Sequence, residues 1–157
     1  MTNKEIKIAY TEYASLDELN TQDRLLVDSA IEAVGTAYAP YSNFHVGAAV
    51  RFFDGEIVKG SNQENAAYPS GICAERTALF YASASRPNVP MNAIAIAAAQ
   101  NGKLIPNPVT PCGACRQVMI QYQLKSGCPM KVFLIGAEKV YEFDKVDTLL
   151  PFIFDSI

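Results

Sequence analysis

The chain has 157 residues, 50% of them apolar, with thirteen basic and sixteen acidic side chains and a formal net charge of -3. That is enough for one domain with a proper core. No two basic residues adjoin, which argues against the basic stripe that a polynucleotide partner needs, and no apolar run approaches the length of a membrane span.

Met1 to Asn20 lacks a basic head followed by an apolar stretch, so it does not read as a secretory signal. It is taken as a flexible extension, residues 1–20, ahead of a single domain over 21–157. Leu26, Val27, Ala30, Ile31 and Val34 fall at helical spacing between Gln22 and Ala37, and Asn20 and Thr21 offer a cap. Val46 to Phe53 and Glu56 to Gly60, joined by Asp54-Gly55, read as a hairpin. A turn-rich stretch, Ser61 to Gly71, leads into a helix over about Cys73 to Ala84. Ala93 to Ala99 suits a strand buried on both faces. The loop Pro106 to Pro111 feeds a helix over Gly113 to Leu124. Strands at Lys131 to Ile135 and Lys139 to Phe143 follow, and Asp147 to Phe152 forms a last turn of helix. The order predicts an α/β fold: a three-layer α/β/α sandwich with a mixed five-stranded sheet.

The chemistry concentrates in Cys73-Ala74-Glu75 and Pro111-Cys112-Gly113-Ala114-Cys115. Three thiols and a carboxylate match a catalytic zinc site, which has three protein ligands, an open fourth position for water and a proton carrier beside it. Cys112 and Cys115, three apart at a helix opening, face the same way. Cys73 and Glu75, two apart, would diverge inside a regular helix and are expected at its irregular first turn. Helix N-termini lower thiol pKa values and favour the thiolates a metal needs. Three thiolates around Zn²⁺ leave a formal charge of -1, which Arg76 is expected to offset by hydrogen bonding to the sulfurs; Arg116 is a weaker candidate.

The signature of one His or Cys, one residue, Glu, then Pro-Cys-x-x-Cys is that of zinc nucleobase deaminases. With Ala39-Pro40-Tyr41-Ser42-Asn43-Phe44-His45-Val46-Gly47, Asn62-Gln63-Glu64-Asn65-Ala66-Ala67-Tyr68 and Leu149-Leu150-Pro151 around it, the chain resembles the short, free-nucleoside cytidine deaminases from about Asp23 to Phe154. Gln63, where relatives often carry an aliphatic residue, is a mild departure.

The resemblance implies one zinc per subunit on Cys73, Cys112 and Cys115, with Glu75 as the proton shuttle. It further implies that Asn62 and Glu64 meet the ribose hydroxyls, that Phe44 walls the pyrimidine, and that the main chain at Ala74 reads its exocyclic edge. Tyr68 is a candidate for the ribose pocket. Phe154 is implied to reach a neighbouring subunit's pocket in a homotetramer with shared active sites. The expected reaction is hydrolytic deamination of cytidine and deoxycytidine in pyrimidine salvage, in the cytoplasm, with no nucleic-acid or membrane partner. Alternatives are deamination of a cytosine-containing antibiotic, deamination of cytosine in single-stranded nucleic acid, or a silent zinc module in which Glu75 has no use.

Blander roles suit the remaining residues. Cys128 lacks a partner motif and reads as a free thiol, with a four-sulfur structural site as the rival. His45 reads as a packing or surface histidine, Tyr38 and Tyr41 as wall and core, and Met119 and Met130 as core fillers.

Overall fold

The structure, a computed structural model, describes residues 1–155. In chain order it comprises β1 (Thr11–Tyr13), α1 (Thr21–Ala33), β2 (Phe44–Phe52), β3 (Ile57–Ser61), α2 (Ala74–Ser85), β4 (Met91–Gln100), β5 (Lys103–Leu104), α3 (Gly113–Ser126), β6 (Lys131–Ile135) and β7 (Val140–Phe143), with short 3-10 turns between. The sheet runs β1-β7-β6-β4-β2-β3, and β5 pairs with β4 off that path. Only β4 and β6 are parallel, so the sheet is mixed.

Alternation along the central strand β4 explains the three layers. Ala93, Ala95 and Ala97 face α1 and cluster with its Leu26, Val27 and Ala30. Ile94 and Ile96 point the other way, into a cluster with Leu79 of α2 and Met119 and Ile120 of α3. Small residues on one side let α1 lie close, while branched residues on the other fill the wider space under two helices. Leu26, Leu79, Ile94 and Ile120 are fully buried at 0% exposure, and each such side chain contributes about 1.5–3 kcal/mol of transfer free energy. Gly60 brings β3 against α2, since a Cβ there would stand 2.5 Å from the Ala78 amide nitrogen. That close approach seats the helix carrying Glu75.

The three-layer sandwich is the expected one, but the sheet has seven strands instead of five. The additional strands are β1 and β5, of three and two residues, too short for periodicity to reveal. β1 lies in the stretch read from sequence as a flexible extension. It pairs with β7, and Tyr13 Oη donates to Glu142 Oε2 at 2.7 Å. Tyr10 packs its ring on Tyr141 and Phe143.

Asn20 caps α1, its side chain accepting from the Asp23 amide. The helix stops at Ala33 and gives way to a 3-10 turn over Val34–Thr36, short of the Ala37 expected, because Gly35 and the β-branched Thr36 are poor helix formers. α3 runs on to Ser126, where Gly127 at φ 68° provides the left-handed cap. The last turn is a 3-10 turn over Val146–Thr148, earlier than the expected Asp147 to Phe152. Among the described residues, no helix is long and apolar enough to cross a membrane.

Candidate active site

Two helix openings meet beside the C-terminal half of β4. Cys73 is the N-cap of α2 and Cys112 the N-cap of α3, both with extended backbone, and neither uses its side chain to cap. Cys115 lies in the first turn of α3 and is fully buried. N-cap and third helical residue are neighbours in space, so the Cys112 and Cys115 sulfurs converge. The sulfurs of Cys73, Cys112 and Cys115 all lie within 4.8 Å of one another. Three soft donors at that separation suit one zinc ion. Cys128 is outside the cluster, with its sulfur 3.7 Å from the Met91 carbonyl oxygen, so the four-sulfur alternative finds no support.

The sulfurs share protons unequally. A hydrogen bond from Cys115, aided by Arg76, holds the Cys73 thiol below its ordinary range, while Cys115, as the donor, is pushed up. Arg76 Nη2 reaches Cys73 Sγ at 3.5 Å, and that contact raises the guanidinium's own pKa. Its Nε is buried without an acceptor among the described residues. Arg116 has a different role from the one considered: Nε donates to Pro111 O at 2.8 Å and Nη1 to Leu149 O at 3.0 Å. It ties the loop before Cys112 to the C-terminal segment.

Glu75 sits in the first turn of α2 and is 5% exposed. Burial, then the nearby Cys73 sulfur, push its carboxyl pKa up. A carboxyl held closer to neutrality both accepts and returns a proton readily. Because Cys73 precedes the helix proper, the two-residue spacing brings both residues into the lining of one cleft of about 440 Å³, with Ala74 and Cys112. Phe44 and Val46 of β2 and Ile96 and Ala98 of β4 supply its apolar walls.

Asn62 and Glu64 line the same cleft, each held by the backbone of the strand or turn opposite. Asn62 Oδ1 accepts from the Val46 amide at 2.8 Å and Nδ2 donates to Phe44 O at 2.9 Å, extending the β3 edge by a side chain. One Nδ2 hydrogen and one Oδ1 lone pair remain for other partners. Glu64 accepts from the Tyr41 amide at 2.8 Å, the Ser42 amide at 3.3 Å and the Ser42 hydroxyl at 2.5 Å. The Ser42 hydroxyl and then the Tyr41 amide hold its pKa below the usual carboxylate range. Tyr68 is 79% exposed and meets Tyr41 edge-on at 6.3 Å, at the mouth of an adjoining hollow that Glu64 and Arg76 also line.

Phe154 is not brought to this cleft. It is 65% exposed, and its backbone is clamped by Gln117, which donates to Phe154 O at 2.8 Å and accepts from its amide at 3.4 Å. His45 lies on β2 opposite Ala99, away from the sulfurs' ligand set. Sequence reasoning passed over Ser42, inside a quoted motif, and Gln117, two residues past another; only their hydrogen bonds set them apart.

A family model described as the cytidine and deoxycytidylate deaminase zinc-binding region matches residues 20–129. The chain belongs to this deaminase family. It is 44% identical over 134 residues to a cytidine deaminase of Halalkalibacterium halodurans, covering 83% of this chain and 92% of that protein. A cytidine deaminase of Sporosarcina psychrophila is 41% identical, with 84% and 90% covered. Among solved structures, a cytidine deaminase from Burkholderia pseudomallei superposes with a TM-score of 0.70 at 43% identity, covering 83% of this chain and 97% of that one. One from Mycobacterium tuberculosis gives 0.67 at 30% identity, with 87% and 100% covered.

Proposed function

We propose that the chain catalyses zinc-dependent hydrolytic deamination of cytidine and deoxycytidine to uridine and deoxyuridine, releasing ammonia, as a step of pyrimidine salvage in the cytoplasm. The observation that carries the reading is Glu75, a buried carboxyl opening onto the same cleft as Cys73 and Cys112, whose sulfurs converge with that of the buried Cys115. Cys73, Cys112 and Cys115 would hold one zinc per subunit. When bound, zinc supplies the Lewis acidity that brings the pKa of a water molecule toward neutrality.

Glu75 takes one proton from the water that attacks C4 of the cytosine ring and passes it to the ring nitrogen N3, then takes the second proton from the hydroxyl now on C4 and delivers it to the leaving amino group as the C4 carbonyl forms. The water oxygen ends on C4 and the nitrogen leaves as ammonia. Arg76 offsets the excess negative charge of three thiolates through its contact with Cys73. Phe44 packs on the pyrimidine, and the main chain at Ala74 reads the exocyclic edge.

Asn62 and Glu64 bind the ribose hydroxyls, where an ionised carboxylate also disfavours a phosphate. Tyr68 borders the ribose pocket. Phe154, held outward by Gln117, enters the pocket of a neighbouring subunit, so that a homotetramer shares its active sites. Residues 21–157 act as one deaminase domain.

The test is loss of cytosine absorbance with purified protein and cytidine, with and without a zinc chelator, against CMP and a cytosine-bearing single-stranded oligonucleotide. Turnover of cytidine alone, abolished by the chelator, supports the reading. Turnover of the oligonucleotide in its place, or full activity after zinc is removed, contradicts it.

A further inference from the structure

One hydroxyl joins the two walls of the cleft. Ser42 Oγ donates to Glu64 Oε1 at 2.5 Å and accepts from the Phe44 amide at 3.0 Å. Phe44 is therefore held at both backbone groups by side chains of the cleft, its amide by Ser42 and its carbonyl by Asn62. The residue between, Asn43, adopts φ 53°, a left-handed conformation that asparagine tolerates better than most residues. Its side chain donates to Asn101 Oδ1 at 2.7 Å, and Asn101 is itself left-handed at φ 54° in the turn between β4 and β5. Thus the turn bearing Ser42 is fastened to the end of β4, and its amides and hydroxyl converge on one carboxylate.

We propose that Ser42 is the positioning residue for sugar recognition, orienting the Glu64 carboxylate toward the substrate's ribose hydroxyls and locking that orientation to the Phe44 wall. The inference rests on the reading of Glu64 as a ribose-binding group. Ser42 does not act on the reacting atoms. Its hydroxyl fixes Oε1 while the Tyr41 and Ser42 amides fix Oε2, so the carboxylate has neither rotational freedom nor an unscreened charge. The depressed pKa of Glu64, caused first by Ser42, agrees with an acceptor kept ionised for hydroxyl donors. Without the hydroxyl, Glu64 keeps two amide donors but loses the one that sets its tilt, and the Phe44 amide loses its acceptor.

The experiment compares cytidine with 2′,3′-dideoxycytidine, which lacks the 2′ and 3′ hydroxyls and keeps the 5′ one, in the parent, Ser42→Ala, Ser42→Thr and Glu64→Gln proteins. Zinc content and thermal midpoint are measured on each preparation. Ser42→Ala is expected to lower kcat/KM for cytidine about tenfold, the scale of one hydrogen bond to a charged group. That loss falls mainly on KM and is several times smaller for the dideoxy substrate. Ser42→Thr, which keeps the hydroxyl, restores most of the cytidine preference. Equal losses on both substrates, with the preference abolished by Glu64→Gln, would overturn the role of Ser42 and leave the sugar reading standing. A preference that survives Glu64→Gln would overturn the sugar reading and the Ser42 role with it.

Discussion

The floor and the rim of the cleft are built differently. Cys115 and Glu75 stand on helix first turns, at 0% and 5% exposure, against a core of Ile96 and Met119. Tyr41, Ser42 and Tyr68 stand on turns and Glu64 on the irregular segment after β3, and Tyr41 and Tyr68 are more than half exposed. The groups proposed for bond chemistry thus belong to rigid elements of one chain. Those proposed to hold the sugar belong to a partly open rim, where hydrogen bonds among neighbours replace burial as the source of order. The contrast teaches that changes to the floor should act on turnover and metal, and changes to the rim on affinity and selectivity.

The largest effect is expected where floor and core coincide. Cys115→Ala should lose zinc and cytidine turnover together and lower the thermal midpoint, by metal analysis, activity and calorimetry on one preparation; a zinc-replete active variant would break the contrast. Arg76→Ala comes next. It should reduce activity or zinc affinity by about 10- to 100-fold, the range for groups that tune metal ligands, measured by turnover and competition with a chelator.

Much of the floor was legible because its residues are close in sequence or follow a sharp spacing. Cys73, Glu75, Cys112 and Cys115 are read from two short motifs, and the helix starts that carry them fall within a residue of expectation. The central strand was equally plain, since Ala93 to Ala99 within β4 is an unbroken apolar run. The rest was hidden by range. β1 depends on a hydrogen bond between Tyr13 and Glu142, 129 positions apart, and nothing local in Thr11–Tyr13 announces a strand. Asn62 could be read as a ligand-facing amide, but that it also stitches Phe44 and Val46 needs the register of β2 beside β3. Likewise, Arg116 could be read as a neighbour of Cys115, yet its guanidinium turns to Pro111 and Leu149.

Smaller effects sharpen the rim side of the comparison. Phe154→Ala should raise KM for cytidine by about tenfold, the transfer free energy of one buried aromatic ring, with zinc content intact. Sedimentation shows whether the variant and the parent form the proposed homotetramer alike. An unchanged KM would remove the tail from the pocket. The smallest effect lies farthest from the cleft. The Tyr13 pKa is pushed up to about 12, first by its hydrogen bond to Glu142 and then by burial. A raised folded-state pKa means stability that is fully present below the unfolded value near pH ~10 and lost as pH rises toward the folded value. The denaturant midpoint should therefore fall between those limits, and Tyr13→Phe should flatten the fall; an identical pH profile would detach β1 from this account.

The most direct test is zinc content and cytidine turnover measured together on Glu75→Gln protein. The account predicts zinc bound as in the parent and kcat lower by about 10²–10⁴-fold, the usual contribution of a positioned proton carrier. Parental turnover in the variant, or a parent protein that binds no zinc at Cys73, Cys112 and Cys115, would contradict it.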